Sequence, residues 1–155
     1  NGRRVVLGRL PPKVFLDTNI LIAAIFSATG GAREILRLGE IGAIQLFVSQ
    51  DVLGELEENV LKKKPQHLAI IAIVLEHSGV EVVEPPAVET VQHCQHFLAY
   101  ADDAVVLAAA IDAQVDYFVT LDRQHFLNNL LVPTTLPVLL GAPSDFLAWY
   151  RTHLD

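Results

Sequence analysis

The sequence predicts an α/β fold, a parallel sheet with helices covering both faces. Three observations carry that expectation. Short apolar runs alternate with longer segments of helical spacing. The runs are apolar at consecutive positions, as strands buried on both sides require. No internal repeat, low-complexity tract or Gly-, Ser- or Pro-rich linker divides the 155 residues. Composition agrees: 52% of residues are hydrophobic and 19% charged, enough for a sizeable core and the wrong balance for a disordered chain.

In order, Val14-Phe15-Leu16 is the first strand. A helix follows from about Ile20 and another over residues 32–38, with Gly30-Gly31 between them. Residues 45–48 form a second strand, and Ser49 and Asp51 are candidate caps for a helix through Leu61. Pro65 suits a helix start, and the segment through Glu76 has helical apolar spacing. Residues 80–83 make a third strand, closed by Pro85-Pro86. One helix is expected over residues 88–98, and another from Asp102-Asp103 to about Ala113. Residues 117–120 and 136–139 give the fourth and fifth strands, and Ser144 caps a last helix over residues 145–153. Residues 1–12 read as an N-terminal extension, the end of a trimmed or tagged chain, and 13–155 as a single domain.

Several classes are excluded. A single cysteine, Cys94, rules out an internal disulfide framework and a thiolate zinc cluster and fits a reducing compartment. A net charge of −7 argues against coating nucleic acid by bulk electrostatics, but not against a nuclease with an acidic centre. The longest stretch free of Asp, Glu, Lys and Arg, residues 124–144, carries Asn128, Asn129, Pro133, Pro137 and Pro143 and suits no lipid-exposed helix. The start has no apolar core for a secretory signal. A cytoplasmic protein without a membrane span is expected.

The informative feature is where the acids fall. Asp17 directly follows the first strand, and Asp122 follows the fourth after one residue. Both belong at the carboxyl edge, where open parallel sheets bind ligands. Asp102 and Asp103 open a helix whose next eight residues are uncharged. Such a helix is expected to begin on the opposite edge, so a less regular connection must bring it in. On the helix through Leu61, the face of Val52, Leu53, Leu56 and Val60 leaves Glu58 opposite and Glu55 and Glu57 on the flanks. Periodicity does not choose between the last two. Carboxylates gathered without a Lys or Arg repel one another, and a divalent cation removes that cost. Oxygen-only ligands suit Mg²⁺ or Mn²⁺, which engage phosphate oxygens. Read one at a time, Asp102, Asp103 and Asp122 are equally reasonable N-caps, Asp17 an Asx turn and Glu55 solvated surface.

Four blocks in order resemble the PIN domain: Leu16-Asp17-Thr18-Asn19, Val52-Leu53-Gly54-Glu55-Leu56, the run from Asp103 to Ala110, and Tyr117-Phe118-Val119-Thr120-Leu121-Asp122. The closing Pro143-Ser144-Asp145-Phe146-Leu147 is similar to one branch, the PIN-type toxins. The resemblance implies a three-layer α/β/α sandwich, Rossmann-like, in which the strands ending at Asp17 and Asp122 are neighbours. It implies metal-dependent hydrolysis of RNA phosphodiesters that leaves a 5′-phosphate and a 3′-hydroxyl. Carried over, Asp17, Glu55, Asp103 and Asp122 become the catalytic and metal-binding acids, with Mg²⁺ or Mn²⁺ as cofactor. Asn19 and Thr120 would orient carboxylates, and Asp102 would be a helix cap or an outer acid. An antitoxin protein and a homodimer are the partners implied.

Other signals are weaker. Arg3, Arg4, Arg9 and Lys13 cluster at the start, Lys62-Lys63-Lys64 end a helix, and Arg123 beside Asp122 is the best placed RNA-phosphate contact. The six histidines show no metal-binding spacing; His93 and His96 share a face without a third ligand. A catalytically idle PIN-like scaffold is the competing reading. A flavodoxin-like phosphoacceptor domain fits less, since its acidic pair belongs after the first strand and no lysine follows Lys64.

Overall fold

Five parallel strands in the order β3-β2-β1-β4-β5 form the centre of a computed structural model that describes residues 10–27 and 29–154. Arg3, Arg4 and Arg9, with the rest of the extension up to residue 9, lie outside the described residues. β1 (Lys13–Leu16) pairs with β2 (Gln45–Val48) on one side and β4 (Tyr117–Val119) on the other. β3 (Glu81–Val82) and β5 (Leu139–Gly141) close the edges. Val14, Phe15 and Leu16 are all fully buried, which requires cover on both faces of the sheet. Phe15 and Phe118 stack across β1 and β4 with ring centroids 5.5 Å apart, at the middle of the core.

The helices are α1 (Thr18–Phe26), α2 (Gly31–Glu40), α3 (Gln50–Lys63), α4 (Leu68–His77), α5 (Val88–Gln95), α6 (Ala101–Asp112) and α7 (Pro143–Thr152). Ser49 caps α3 as expected, its hydroxyl accepting from the Val52 N–H at 3.2 Å. Pro65 opens a single 3₁₀ turn, Pro65–His67, ahead of α4. The lysine run closes α3, where it complements the helix dipole, and Lys64 Nζ lies 5.7 Å from the Phe26 ring centroid. Among the described residues, no single helix is long and apolar enough to cross a membrane.

Three local expectations are corrected. The fifth strand lies three residues later than expected, because Pro137 has no N–H for the ladder. Glycine suits its last residue: a Cβ on Gly141 would press on the Tyr117 hydroxyl and come within 2.8 Å of Asp145 Cβ. The last helix starts at Pro143, not after Ser144. Ala142 is its N-cap residue, and Asp145 reaches back to accept the Ala142 N–H at 2.9 Å. Helix α5 stops at Gln95, short of Leu98.

The largest correction concerns direction. Helix α6 returns antiparallel to the strands and hands over to β4 within four residues, where Asp116 donates its N–H to Lys13 O at 2.8 Å. Its far end therefore sits on the amino edge, and its start sits on the carboxyl edge with Asp17. No irregular connection is needed, because any helix feeding a parallel strand starts where the previous strand ends.

Candidate metal centre

The order β3-β2-β1-β4-β5 places a switch point between β1 and β4, where connections leave the sheet in opposite directions. The register Leu16↔Val119 makes those strands end flush, so Asp17 stands beside Thr120. The Thr120 hydroxyl donates to Asp17 Oδ2 at 2.8 Å and accepts the Asp122 N–H at 3.0 Å. Asn19 Nδ2 donates to Asp17 Oδ2 and to Thr120 Oγ1, both at 3.3 Å, and its Oδ1 accepts the Leu121 N–H at 2.9 Å. Asp17 also caps α1, accepting the Thr18 N–H at 2.8 Å. Each short polar side chain thus binds the two strand ends into one rigid rim.

Other elements bring further acids to that rim. Thr18 Oγ1 donates to the Val52 carbonyl at 3.5 Å and docks α3 on α1. One turn later Glu55 lines a cavity of about 180 Å³ with Asp17, Asp102, Asp103 and Asp122; Ile22 and Val106 supply apolar wall. The structure resolves the choice that periodicity left open, since Glu55 lines the cavity and Glu57 does not. Asp102 and Asp103 occupy the first turn of α6, whose N-cap position is Tyr100. Neither is the cap residue itself. Asp122 is one: its Oδ1 accepts the His125 N–H at 2.9 Å and caps a π-helical turn, Arg123–Leu127. Arg123 starts that turn but stays outside the cavity wall.

Sequence reasoning missed His125. Its Nδ1 lies 2.9 Å from Asp103 Oδ2 and 3.1 Å from Asp122 Oδ2, and its ring stacks on Tyr100 with centroids 4.5 Å apart. Asp103, Asp122 and His125 can offer ligand atoms all within 4.8 Å of one another. The signal was Asp122-x-x-His125, a spacing common enough to mean little until the π turn folds it back. His93 and His96 only meet edge to face, ring centroids 6.3 Å apart.

The electrostatics follow from crowding. Burial pushes the Asp17 carboxyl above the usual carboxylate range, and repulsion from Asp122 adds to it, against the hydrogen bonds from Thr120, Thr18 and Asn19. Burial likewise raises Glu55, helped by Asp17, Asp102 and Asp103. Asp103 is raised by burial and by Asp122 and Asp17, while His125 pulls the other way. No lysine or arginine lines the cavity. Asp103 Oδ2 is buried, with the His125 imidazole as its near neighbour. Converging anionic oxygens and no side-chain ammonium or guanidinium in the cavity wall fit a hard divalent cation.

Comparison with known proteins agrees with this fold. One solved structure with this fold is VapBC2 from Rickettsia felis bound to a DNA fragment from their promoter: TM-score 0.65, 20% identity, covering 84% of this chain and 98% of that one. Another is PAE2754 from Pyrobaculum aerophilum: TM-score 0.57, 14% identity, covering 91% and 96%. No curated protein matches the chain. A PIN domain family model matches residues 13–124, well over half the sequence and every acid of the rim. The chain belongs to the PIN domain family.

Proposed function

We propose that the protein is a divalent-metal-dependent endoribonuclease, the VapC-like toxin of a type II toxin–antitoxin pair. PIN domains are generally metal-dependent nucleases. One observation carries the reading for this chain: five carboxylates from four separate stretches line a single cavity at the switch point, with no basic side chain among them. Likeness to the VapBC2 chain supports an antitoxin partner. A homodimer acting on RNA in the cytoplasm, with residues 13–155 as one domain, completes the proposal.

Asp17, Glu55, Asp103 and Asp122 would hold Mg²⁺ or Mn²⁺. When bound, the ion supplies Lewis-acid activation of water and neutralises charge on the phosphate. The chain's own residues prepare the ground. Thr120, Asn19 and the Thr18 N–H fix the Asp17 carboxylate by three hydrogen bonds, so it is aimed before any ligand arrives. Asp122 is held by the π turn it caps, and His125 sets its spacing from Asp103. Ile22 and Val106 keep one side of the cavity dry, which strengthens each charge interaction inside it. Asp102, exposed at the mouth, adds negative potential that deepens affinity for a cation.

The test is a defined single-stranded RNA oligomer incubated with the protein in EDTA, Mg²⁺ or Mn²⁺. Cleavage confined to the metal-containing samples, with 5′-phosphate and 3′-hydroxyl ends and none by Asp17→Asn, is expected. Equal cutting in EDTA, or by Asp17→Asn, overturns the reading.

A further inference from the structure

A second concavity, about 400 Å³, is linked to the acidic one through a wall residue, His125, that contacts two of the carboxylates. His125 is the hinge between them: its Nδ1 faces Asp103 and Asp122, and its ring face lies on Tyr100, a wall residue of the second groove. The two sites differ sharply in charge. The acidic cavity carries five carboxylates, whereas the groove is lined by no Asp, Glu, Lys or Arg. Its walls are aromatic, amide and aliphatic.

That contrast bears on substrate binding. A chain of net charge −7, with an acidic centre, gains little from long-range attraction to phosphates. Base stacking does not depend on charge and tolerates any base, because every base has a π face. Tyr100 keeps 56% of its surface exposed beside the helix turn that carries Asp102 and Asp103. Gln95 and Gln124, also on the groove wall, have no hydrogen-bond partner among the described residues, so both amides are free to meet a base edge. The groove is also held open. Asn129 donates to the Phe97 and His125 carbonyls at 3.0 Å each and accepts the Leu131 N–H at 3.0 Å, pinning the segment after α5 to the π turn.

We propose that this groove is a nucleobase subsite: it takes one unpaired base of an RNA strand next to the phosphodiester held at the carboxylates. The base stacks on the Tyr100 platform, with its edge toward Gln95 and Gln124. The subsite rests on the nuclease reading and favours an unpaired base at that position, because a paired base must first be unpaired and unstacked to enter the groove.

Two measurements test it on the intact protein. A single-stranded oligomer carrying 2-aminopurine at successive positions is read in EDTA, where no cutting is expected. One position is quenched by the wild type and by Tyr100→Phe, and not by Tyr100→Ala. Steady-state cleavage in Mn²⁺ then compares the intact oligomer with one made abasic at that position. Tyr100→Ala raises KM about tenfold more on the intact strand than on the abasic one, the size of one lost stacking contact. Equal penalties for Tyr100→Ala on both strands, or a fall in kcat alone, overturn the subsite while leaving the nuclease standing. Absence of any cutting by the wild type overturns both.

Discussion

At the amino edge of the sheet, Asp116 accepts the Lys13 N–H at 2.8 Å, and Asp112, at the far end of α6, accepts the Ala87 N–H and the Thr90 hydroxyl at 2.7 Å each. At the carboxyl edge, Asp17, Glu55 and Asp103 are crowded, partly desolvated and raised above their ordinary range by burial and by one another. The same residue types sit at the two ends of the same β4 and α6. On one edge each carboxylate staples neighbouring segments through its own donors. On the other the carboxylates oppose one another, and the fold tolerates the cost because the strand ends and helix starts beneath them are held by the buried core. On the proposed reading, the difference separates acids that serve mainly stability from acids that would hold an ion.

The sharpest way to break the comparison is substitution at matched positions. Asp103→Asn is expected to lower RNA cleavage at least about 100-fold, in line with the loss of a metal-holding group. Asp116→Asn is expected to leave cleavage unchanged. Kinetics on one oligomer decide it, and equal effects from the two variants would erase the distinction between the edges.

Metal binding gives the next effect. An ion that binds only the folded state stabilises it by about 2.7 kcal/mol at a hundred times its Kd, which corresponds to a rise in Tm of about 5–10 °C for a chain of this size. The wild type and Asp116→Ala are expected to show that rise with Mn²⁺ in differential scanning fluorimetry, and Asp17→Asn to lose it. A rise retained by Asp17→Asn would place the ion elsewhere.

How much of this was legible in the sequence divides along similar lines. Strand β2 and the Ser49 cap could be read residue by residue, because burial on both faces and capping are local signals. Asp17 and Asp122 followed from their places at strand ends. Asp102 and Asp103 were assigned to the wrong edge by a direction argument, although the antiparallel return of a crossover helix already fixed their position. Periodicity could not tell Glu55 from Glu57, because the two flank the apolar stripe symmetrically; the resemblance chose Glu55, and the docking of Thr18 against the Val52 carbonyl accompanies its place in the cavity wall. His125 was illegible for a different reason: a π turn changes the angular spacing that helical reasoning assumes, and its partner Asp103 is remote in sequence. Leu139–Gly141 shows that a proline outranks an apolar run in deciding where an edge strand begins.

A smaller effect probes the amino edge. Asp116→Ala leaves the Lys13 N–H without its carboxylate acceptor at the start of the central strand. Urea denaturation should show a loss of about 1 kcal/mol, the net worth of one hydrogen bond, with an unchanged m-value. No loss would mean that water replaces the carboxylate fully and that the staple is ornamental.

The smallest effect has the opposite sign and tests whether the carboxyl edge is costly in the absence of metal. Glu55 ordinarily titrates near 4.5, and burial together with Asp17, Asp102 and Asp103 raises it in the folded protein. A raised carboxyl binds its proton more tightly folded than unfolded, so its contribution to stability falls as pH rises through the unfolded value and is least favourable once the folded value is passed. Glu55→Gln keeps the length of the side chain and removes the charge. In EDTA at pH 7 the variant should melt about 1–2 °C higher than the wild type, a modest gain because Glu55 is largely solvent-exposed and its repulsions are screened. Well below pH 4.5, where Glu55 is protonated in both states, the gain should vanish. With Mn²⁺ present the order should reverse, since the charge that destabilises the empty rim is the one that holds the ion. A variant that melts lower than the wild type in EDTA at pH 7 would show that the rim is held together by Glu55, not strained by it.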